Sequence, residues 1–139
     1  MTIRKLVIPG KPLGKQRPRV LKTGVAYTPK QTVNYEAVVR SLYIQEYAAE
    51  KPFDGPVSMR IKAYYQIPKS ASKRKREDML HGIILPTVRP DVDNISKIIT
   101  DALNGVAYLD DKQITECYTE KCYGEAPSVS VVIIGREQG

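Results

Sequence analysis

The residues best suited to chemistry are aspartates between positions 91 and 111, with a lysine among them. Asp91 and Asp93 are separated by one residue, Lys97 follows, and Asp110 and Asp111 stand side by side. Mg²⁺ takes hard oxygen ligands and commonly uses one or two carboxylates beside its waters. A metal ion held in this way activates water at a phosphoryl centre, and a nearby ammonium stabilises the negative charge that builds up there. The pattern predicts metal-dependent hydrolysis of a phosphodiester without an organic cofactor.

Each part of this pattern also has a purely structural explanation. Asp91 or Asp93 could serve only as a helix N-cap, and Lys97 only as the partner of a carboxylate one turn away. Asp110 and Asp111 could form only a turn before a strand. Strongly basic segments elsewhere in the chain favour the metal-site interpretation, because a polyanionic substrate would need both.

Charge is unevenly distributed along the 139 residues, whose formal net value is +7. Residues 1–90 contain 18 Lys and Arg against 6 Asp and Glu, whereas residues 91–139 contain 4 against 9. A polyanion could therefore be held by the first part while a divalent cation binds in the second. The alternative is that the imbalance only reflects a solvated surface.

A helix predicted over residues 93–104 would position the first aspartates. Its apolar residues recur at helical spacing and form one stripe. They are Ile95, Ile98, Ile99, Ala102 and Leu103. Asp93 is the predicted N-cap, and Asn104-Gly105 the predicted end, since glycine tolerates the left-handed cap. Lys97 would lie one turn beyond Asp93, and Asp101 one turn further, on the face opposite the stripe. An extended chain up to Asp93 would point Asp91 to the same side.

The remaining elements mix strands and helices without strict alternation, which predicts an α+β fold. We expect one domain over residues 1–135, with a small mixed or antiparallel sheet and two main helices, and a polar tail at 136–139. Strands are predicted at 2–8, 57–65, 114–123 and 128–134, the clearest being 57–65, where apolar and polar residues alternate. The first main helix is predicted over 29–50, and a short helix near 71–80. The first helix takes its apolar positions from Val33, Ala37, Val38, Leu42 and Ile44.

Composition excludes several other classes of protein. No apolar run approaches the roughly 18 residues of a membrane span, and the N-terminal apolar part is too short for a secretory signal. The two cysteines and His81 cannot complete a four-ligand zinc site without carboxylates. Cys117 and Cys122 would face opposite sides of one strand and so could not pair. We therefore expect a soluble cytoplasmic protein with reduced cysteines.

Several ordered segments resemble the RusA family of Holliday junction resolvases. The central string is Arg89-Pro90-Asp91-x-Asp93-Asn94-x-x-Lys97, then Asp101-Ala102-Leu103-Asn104-Gly105, then Tyr108-x-Asp110-Asp111-x-Gln113-Ile114. The family's opening is similar to Gly10-x-Pro12-x-x-Lys15-x-Arg17-Pro18-Arg19 and to Tyr27-Thr28-Pro29. A lysine late in the following strand corresponds to Lys121. The resemblance covers about residues 5–123, most of the chain.

The resemblance implies an endonuclease that depends on Mg²⁺, or on Mn²⁺ in its place. Such an enzyme acts as a homodimer on four-way DNA junctions and makes paired nicks in strands of like polarity. The family's essential carboxylates, which would bind the metal, fall on Asp91, Asp93 and Asp111. Its catalytic lysine falls on Lys97.

With a nuclease in view, phosphate contact is predicted for the basic segments. The predicted DNA-binding residues are Lys15, Arg17, Arg19, Lys69, Lys73, Arg74, Lys75, Arg76 and Lys121. A solvated charged loop is the alternative for each segment. Two symmetric cuts in a two-fold junction call for two active sites in one C₂ particle, and the first helix and the tyrosine-rich strands are the candidate dimer interface.

Other functions remain open at this point. One is a non-catalytic protein that binds branched DNA and uses its carboxylates structurally. Another is a metal-dependent nuclease that acts on other branched DNA, such as flaps. A third is a protein-interaction module with an acidic face.

Overall fold

The computed structural model describes residues 1–136 and shows an α+β fold built on a mixed four-stranded sheet. The helices are α1 (Lys30–Tyr47), α2 (Lys73–Leu80) and α3 (Val92–Leu103), with a short 3₁₀ helix at Asp111–Gln113. The strands are β1 (Thr2–Pro9), β2 (Arg19–Val20), β3 (Ala26–Tyr27), β4 (Val57–Gln66), β5 (Ile114–Gly124) and β6 (Ser128–Gly135). The predicted fold class is confirmed. The tail predicted at 136–139 lies almost wholly outside the described residues.

The main sheet has the strand order β1-β6-β4-β5. β6 pairs antiparallel with both β1 and β4, whereas β4 and β5 pair in parallel. Parallel neighbours require a long crossover connection, and residues 67–113 supply it with α2, α3 and the 3₁₀ helix. All four candidate catalytic residues lie on this crossover.

Helix α3 packs on the sheet through the predicted apolar stripe. Its five stripe residues are fully buried: Ile95, Ile98, Ile99, Ala102 and Leu103. The opposing face of β4 buries the alternating residues Val57, Met59, Ile61, Ala63 and Tyr65. Burial of each isoleucine contributes about 1.5–3 kcal/mol to the free energy of folding. This packing fixes α3, and with it the backbone positions of the functional residues on the helix, against the sheet.

Helix α1 buries a different face from the predicted one, and that part of the prediction is wrong. Most of the predicted apolar positions are exposed, namely Val33, Ala37, Val38 and Ile44. The buried residues are Thr32, Val39 and Tyr43. The polar members of this face have partners: Thr32 Oγ1 donates to Gln16 Oε1 at 3.2 Å, and Arg4 Nη1 donates to Tyr43 Oη at 2.8 Å. Satisfied hydroxyls can be buried at little cost, which a hydrophobicity pattern does not register.

The basic segment near the N-terminus contains a small hairpin that was not predicted from the sequence. β2 and β3 pair antiparallel, with Arg19 opposite Tyr27. Strands of two residues are too short to show periodicity, so no pattern predicted them.

Two further expectations concern cysteines and membranes. Cys117 and Cys122 are both free thiols on β5. Across residues 1–136, no helix combines the length and apolarity needed to cross a bilayer. The cytoplasmic location stays a prediction.

Candidate active site

The start of α3 determines where its aspartates point. Asp91 is the N-cap residue, with φ −73° and ψ 155°, and the helix begins at Val92. Asp93 therefore lies in the first turn, and its prediction as the N-cap is wrong because the extended conformation ends at Asp91. The Asp91 side chain makes no capping hydrogen bond, so its carboxylate is not bound to the backbone amides of the helix start. Negative charge in the first turn is stabilised by the helix dipole.

A shallow groove of about 380 Å³ brings three of the four predicted catalytic residues together. Asp93 and Lys97 reach it from α3, and Asp111 from the 3₁₀ helix that precedes β5. Its other lining residues are Ser96, Thr100, Ile114 and Cys117. The groove is held in shape by a 2.6 Å hydrogen bond between Ser96 Oγ on α3 and Thr119 Oγ1 on β5.

Asp91 lines a separate cleft of about 490 Å³. The basic loop at 11–16 forms one side of this cleft, and residues 89–91 with Asn94 form another. Between Met1 and Arg136, no group of three or more His, Cys, Asp or Glu side chains is arranged to hold a metal ion. Asp93 and Asp111 thus line one groove, whereas Asp91 lines a different cleft, so the three predicted metal ligands are not brought into one depression.

The aspartates differ in whether the protein already uses their carboxylates. Three form no ion pair with any residue that the structure describes: Asp91, Asp93 and Asp111. Asp110, in contrast, caps the 3₁₀ helix, because its Oδ1 accepts from the Lys112 amide at 2.9 Å and Gln113 completes a capping box. That amide holds the pKa of Asp110 below its ordinary value. The structural explanation therefore applies to Asp110, while Asp111 forms no ion pair among the described residues and lines the groove.

The donors around the groove fit a magnesium ion in their chemistry. Asp93 and Asp111 supply hard carboxylate oxygens, and Mg²⁺ commonly binds proteins through one or two carboxylates while it retains several waters. A cage of three carboxylates is not required for such a site.

An ion network joins the basic loop to α1 and α3. Lys15 Nζ lies 2.9 Å from Glu36 Oε2 and 3.2 Å from Asp101 Oδ2. The other oxygen of Asp101, Oδ1, lies 3.1 Å from Lys97 Nζ. Burial alone would lower the pKa of Lys15, but Glu36 and Asp101 outweigh it and raise the pKa above its ordinary value. Lys15, predicted to contact DNA, has its ammonium bound to two protein carboxylates.

Lys121 and Tyr65 fix the segment that leads into Asp91. Lys121 Nζ donates to the carbonyl of Val88 and lies 5.2 Å from the centroid of the Tyr65 ring. Tyr65 Oη donates to the Pro90 carbonyl at 3.0 Å. Burial, assisted by the charge of Asp91, raises the pKa of Tyr65 to about 12, so this donor keeps its proton at neutral pH. The observed contacts of Lys121 are thus within the protein.

The other predicted DNA-binding residues lie on the surface. Arg17 and Arg19 are exposed beside the hairpin. A second exposed group precedes and begins α2: Lys69, Lys73, Arg74 and Lys75, with Arg76 half-buried. α2 starts at the N-cap Ser72, whose hydroxyl accepts from the Lys75 amide, and it packs against β5. The cations of α2 therefore lie on a helix that contacts β5, and the first residue of β5, Ile114, lines the groove.

In a comparison with known proteins, residues 9–134 of this chain match the family model described as "Endodeoxyribonuclease RusA". The chain belongs to the RusA family of endodeoxyribonucleases. The matched span contains both depressions and every predicted site residue. A relative of this RusA-family chain is the uncharacterized protein YqaN of Bacillus subtilis (strain 168), which is 37% identical over 134 residues. These cover 93% of this chain and 94% of that protein.

Several contributors to this RusA-family site have no local signal in the sequence. Glu36 is 21 residues from Lys15 in the chain, and no local pattern links the two. Tyr65 was predicted only as a strand residue, because alternation shows which face it occupies but not which carbonyl it reaches. Gln16 lies inside the family motif between Lys15 and Arg17, and that position was the available signal.

Proposed function

We propose that this RusA-family protein is a Mg²⁺-dependent endonuclease that resolves four-way DNA junctions by paired nicks. The observation that carries the proposal is the groove shared by Asp93, Lys97 and Asp111. It combines two carboxylates that form no ion pair within residues 1–136 with an ammonium positioned by Asp101. Family membership supports a DNA phosphodiester as the substrate.

Each side chain has a defined task in this proposal. Asp93 and Asp111 would hold a magnesium ion, and Asp91, at the N-cap of α3, is the third predicted ligand. When bound, the ion supplies Lewis acidity and activates water. Lys97 stabilises the negative charge that builds on the phosphate oxygens during hydrolysis. Asp101 keeps the Lys97 ammonium near that position.

Junction binding rests on the exposed cations. Arg17 and Arg19 approach the DNA from the side of the hairpin, and the cations of α2 from the side of β5. Neutralised phosphates release counterions, so binding should weaken steeply with salt.

A homodimer follows from the need for two cuts. Each chain offers one catalytic groove, and a C₂ dimer would present two of them to the two-fold junction. The exposed apolar residues of α1 support it as the interface: Val33, Val38 and Ile44 are 49%, 49% and 46% exposed.

The decisive experiment incubates the purified protein with a synthetic four-way junction, a flap and a linear duplex, each with Mg²⁺ or EDTA. Paired nicks confined to the junction and to Mg²⁺ support the proposal. Junction binding without nicks would instead indicate a non-catalytic binding protein, and preferred cleavage of flaps would indicate a different nuclease.

Carboxylate variants then test the groove. Asp91→Asn, Asp93→Asn and Asp111→Asn should each lower junction cleavage by about 100-fold or more, or about 2.7 kcal/mol in barrier height. Junction affinity should stay equal or rise, because each change removes a negative charge near phosphate. Asp54→Asn, the same chemical change at an exposed residue outside α1 and outside the groove, should cut at the wild-type rate.

A further inference from the structure

We propose that the cleft beside Asp91 receives one unstacked base of the DNA strand being cut and selects among the four bases. This inference rests on the proposed nuclease function and adds a site that determines where the enzyme cuts. The cleft is about 490 Å³, within the roughly 300–1,000 Å³ of sites for small molecules.

The walls of the cleft suit a flat, partly apolar ring. Pro12 and Leu13 form part of one wall, and Pro90 part of another. A base edge needs polar partners as well, and three carboxamide side chains line the same cleft: Gln16, Gln31 and Asn94. Carboxamides carry both donors and acceptors and are well suited to reading base edges.

Gln16 is held so that its amide nitrogen is left to donate. Thr32 is 1% exposed, and its hydroxyl donates to Gln16 Oε1 at 3.2 Å. No acceptor for Gln16 Nε2 is found among the residues that the structure describes. A fixed NH₂ group favours a base that presents an acceptor at that point and disfavours one that presents a donor.

The shape of the cleft is fixed where its two walls meet at Gly14. A Cβ on this glycine would lie 2.7 Å from Pro90 Cβ and 3.0 Å from Asn94 Cβ, so only glycine allows the approach. Next to it, the Lys15 amide donates to the Asn94 carbonyl at 2.9 Å. The cleft is therefore built before a ligand arrives, which lowers the cost of binding.

The position of the cleft points to a nucleotide next to the scissile phosphate. Asp91 lines the cleft, while Asp93, two residues along the chain, lines the catalytic groove. Lys11 and Arg89 also line the cleft and supply positive charge for the flanking phosphates. Unstacking a base costs a few kcal/mol and costs least where pairing is already disrupted, as at a branch point.

Base selection is tested on a set of four-way junctions that differ only in the bases flanking each cut. The wild-type protein should show rates that differ by about 10-fold or more at one flanking position. Gln16→Glu keeps the acceptor for Thr32 but replaces the donor with a second acceptor, so it should change the order of preference. Gln66→Glu, the same change at an exposed residue outside the cleft and outside α1, should keep the wild-type order. Equal wild-type rates for all bases, or an unchanged order in Gln16→Glu, would overturn the proposal.

A binding measurement separates this inference from the nuclease proposal. Junctions with 2-aminopurine at each flanking position are titrated in EDTA, and fluorescence reports unstacking without any cleavage. One position should brighten with the wild-type protein, and Gln31→Trp, which fills the cleft, should suppress that signal while junction affinity changes less than about 3-fold. Circular dichroism confirms that the variant is folded. A protein that brightens the probe but never cuts would contradict only the nuclease function, whereas no brightening at any position would contradict the cleft.

Discussion

Lys97 Nζ lies 3.1 Å from Asp101 Oδ1, one turn further along α3. An exposed pair of this kind normally contributes about 0.3–0.5 kcal/mol and holds neither partner firmly. Here Lys15 binds the second oxygen of the same carboxylate at 3.2 Å, and the Asp101 side chain is only 21% exposed. The carboxylate is thereby prevented from rotating away, and the ammonium of Lys97 stays beside the groove.

Asp101→Asn should lower kcat by about 10-fold, because the amide keeps the shape of the side chain but loses the charge that positions Lys97. KM and junction affinity should change less than about 2-fold, since the altered group does not contact DNA in this arrangement. Steady-state kinetics on a labelled junction measures both constants. Asp101→Glu, which restores the charge, should recover part of the rate. An Asp101→Asn protein with wild-type kcat would show that Lys97 needs no such support.

The cations of α2 should account for part of the salt dependence of binding. Lys73→Gln, Arg74→Gln and Lys75→Gln, combined, should reduce the slope of log affinity against log salt by about 2.7, at about 0.9 per phosphate contact. Fluorescence anisotropy with a junction in EDTA, over a series of salt concentrations, gives the slope. The matched control combines Lys5→Gln, Lys51→Gln and Arg60→Gln, three exposed cations outside the predicted DNA-binding set. Equal slopes for the two triple variants would place the DNA elsewhere.

Tyr35→Phe should be neutral or stabilising by up to about 1 kcal/mol. The Tyr35 hydroxyl is buried without a hydrogen-bond partner among residues 1–136, so its removal loses nothing and relieves a desolvation cost. Tyr43→Phe is the contrasting control, because Tyr43 Oη accepts from Arg4 at 2.8 Å. That change should lower the free energy of unfolding by about 1–3 kcal/mol. Urea denaturation compares the three proteins, and a clear loss in Tyr35→Phe would indicate an unseen partner.

The difference in stability between the wild-type protein and Tyr35→Phe should depend on pH. Burial raises the pKa of Tyr35 from 10.0 to about 12. Burial disfavours the ionised form in the folded state, so the contribution of Tyr35 to stability is constant below pH 10 and falls as pH rises from 10 to about 12. Wild-type stability should therefore fall relative to Tyr35→Phe over that interval, and urea denaturation at about pH 9 and about pH 11 would reveal it.

Lys121→Met distinguishes a positioning role from direct phosphate contact. The methionine keeps the apolar stem over Tyr65 but removes the donor to the Val88 carbonyl. Amide hydrogen exchange in residues 82–91 should accelerate by several-fold, and junction cleavage should fall. Lys112→Met, at an exposed lysine on the 3₁₀ helix, should leave that exchange unchanged. Unchanged exchange in Lys121→Met, together with a reduced salt slope, would support the DNA contact predicted for Lys121.

Helices and strands that bury a single apolar face against the core were predictable from the sequence. The stripe of α3 and the alternation of β4 are local patterns, and both face the same interior. α1 could not be predicted in this way, because Thr32 is buried through a bond to Gln16 and Tyr43 through a bond to Arg4, both distant in the chain. Patterns of hydrophobicity record apolar burial and not the pairing of polar groups.

The candidate site likewise contains features that local sequence patterns predict and features that depend on contacts in the folded protein. The identity of Asp93, Lys97 and Asp111 was available from spacing and family resemblance, and the structure places them in one groove. The different tasks of Asp110 and Asp111 were not available, because they depend on which carboxylate the Lys112 amide reaches. Because the N-cap of α3 lies two residues earlier than predicted, Asp91 occupies it and lines its own cleft. Capping rules do not resolve a shift of two residues in a helix boundary.

The parallel pairing of β4 with β5 has a consequence for the order in which this protein acquires its parts. The basic loop, α1, β4 and α2 are all synthesised before α3, and the groove closes only when β5, ending at Gly124, docks on β4. Such pairing between distant segments is slow to form. A chain still leaving the ribosome therefore contains its basic loop and the cations of α2 before the groove of Asp93, Lys97 and Asp111 is assembled.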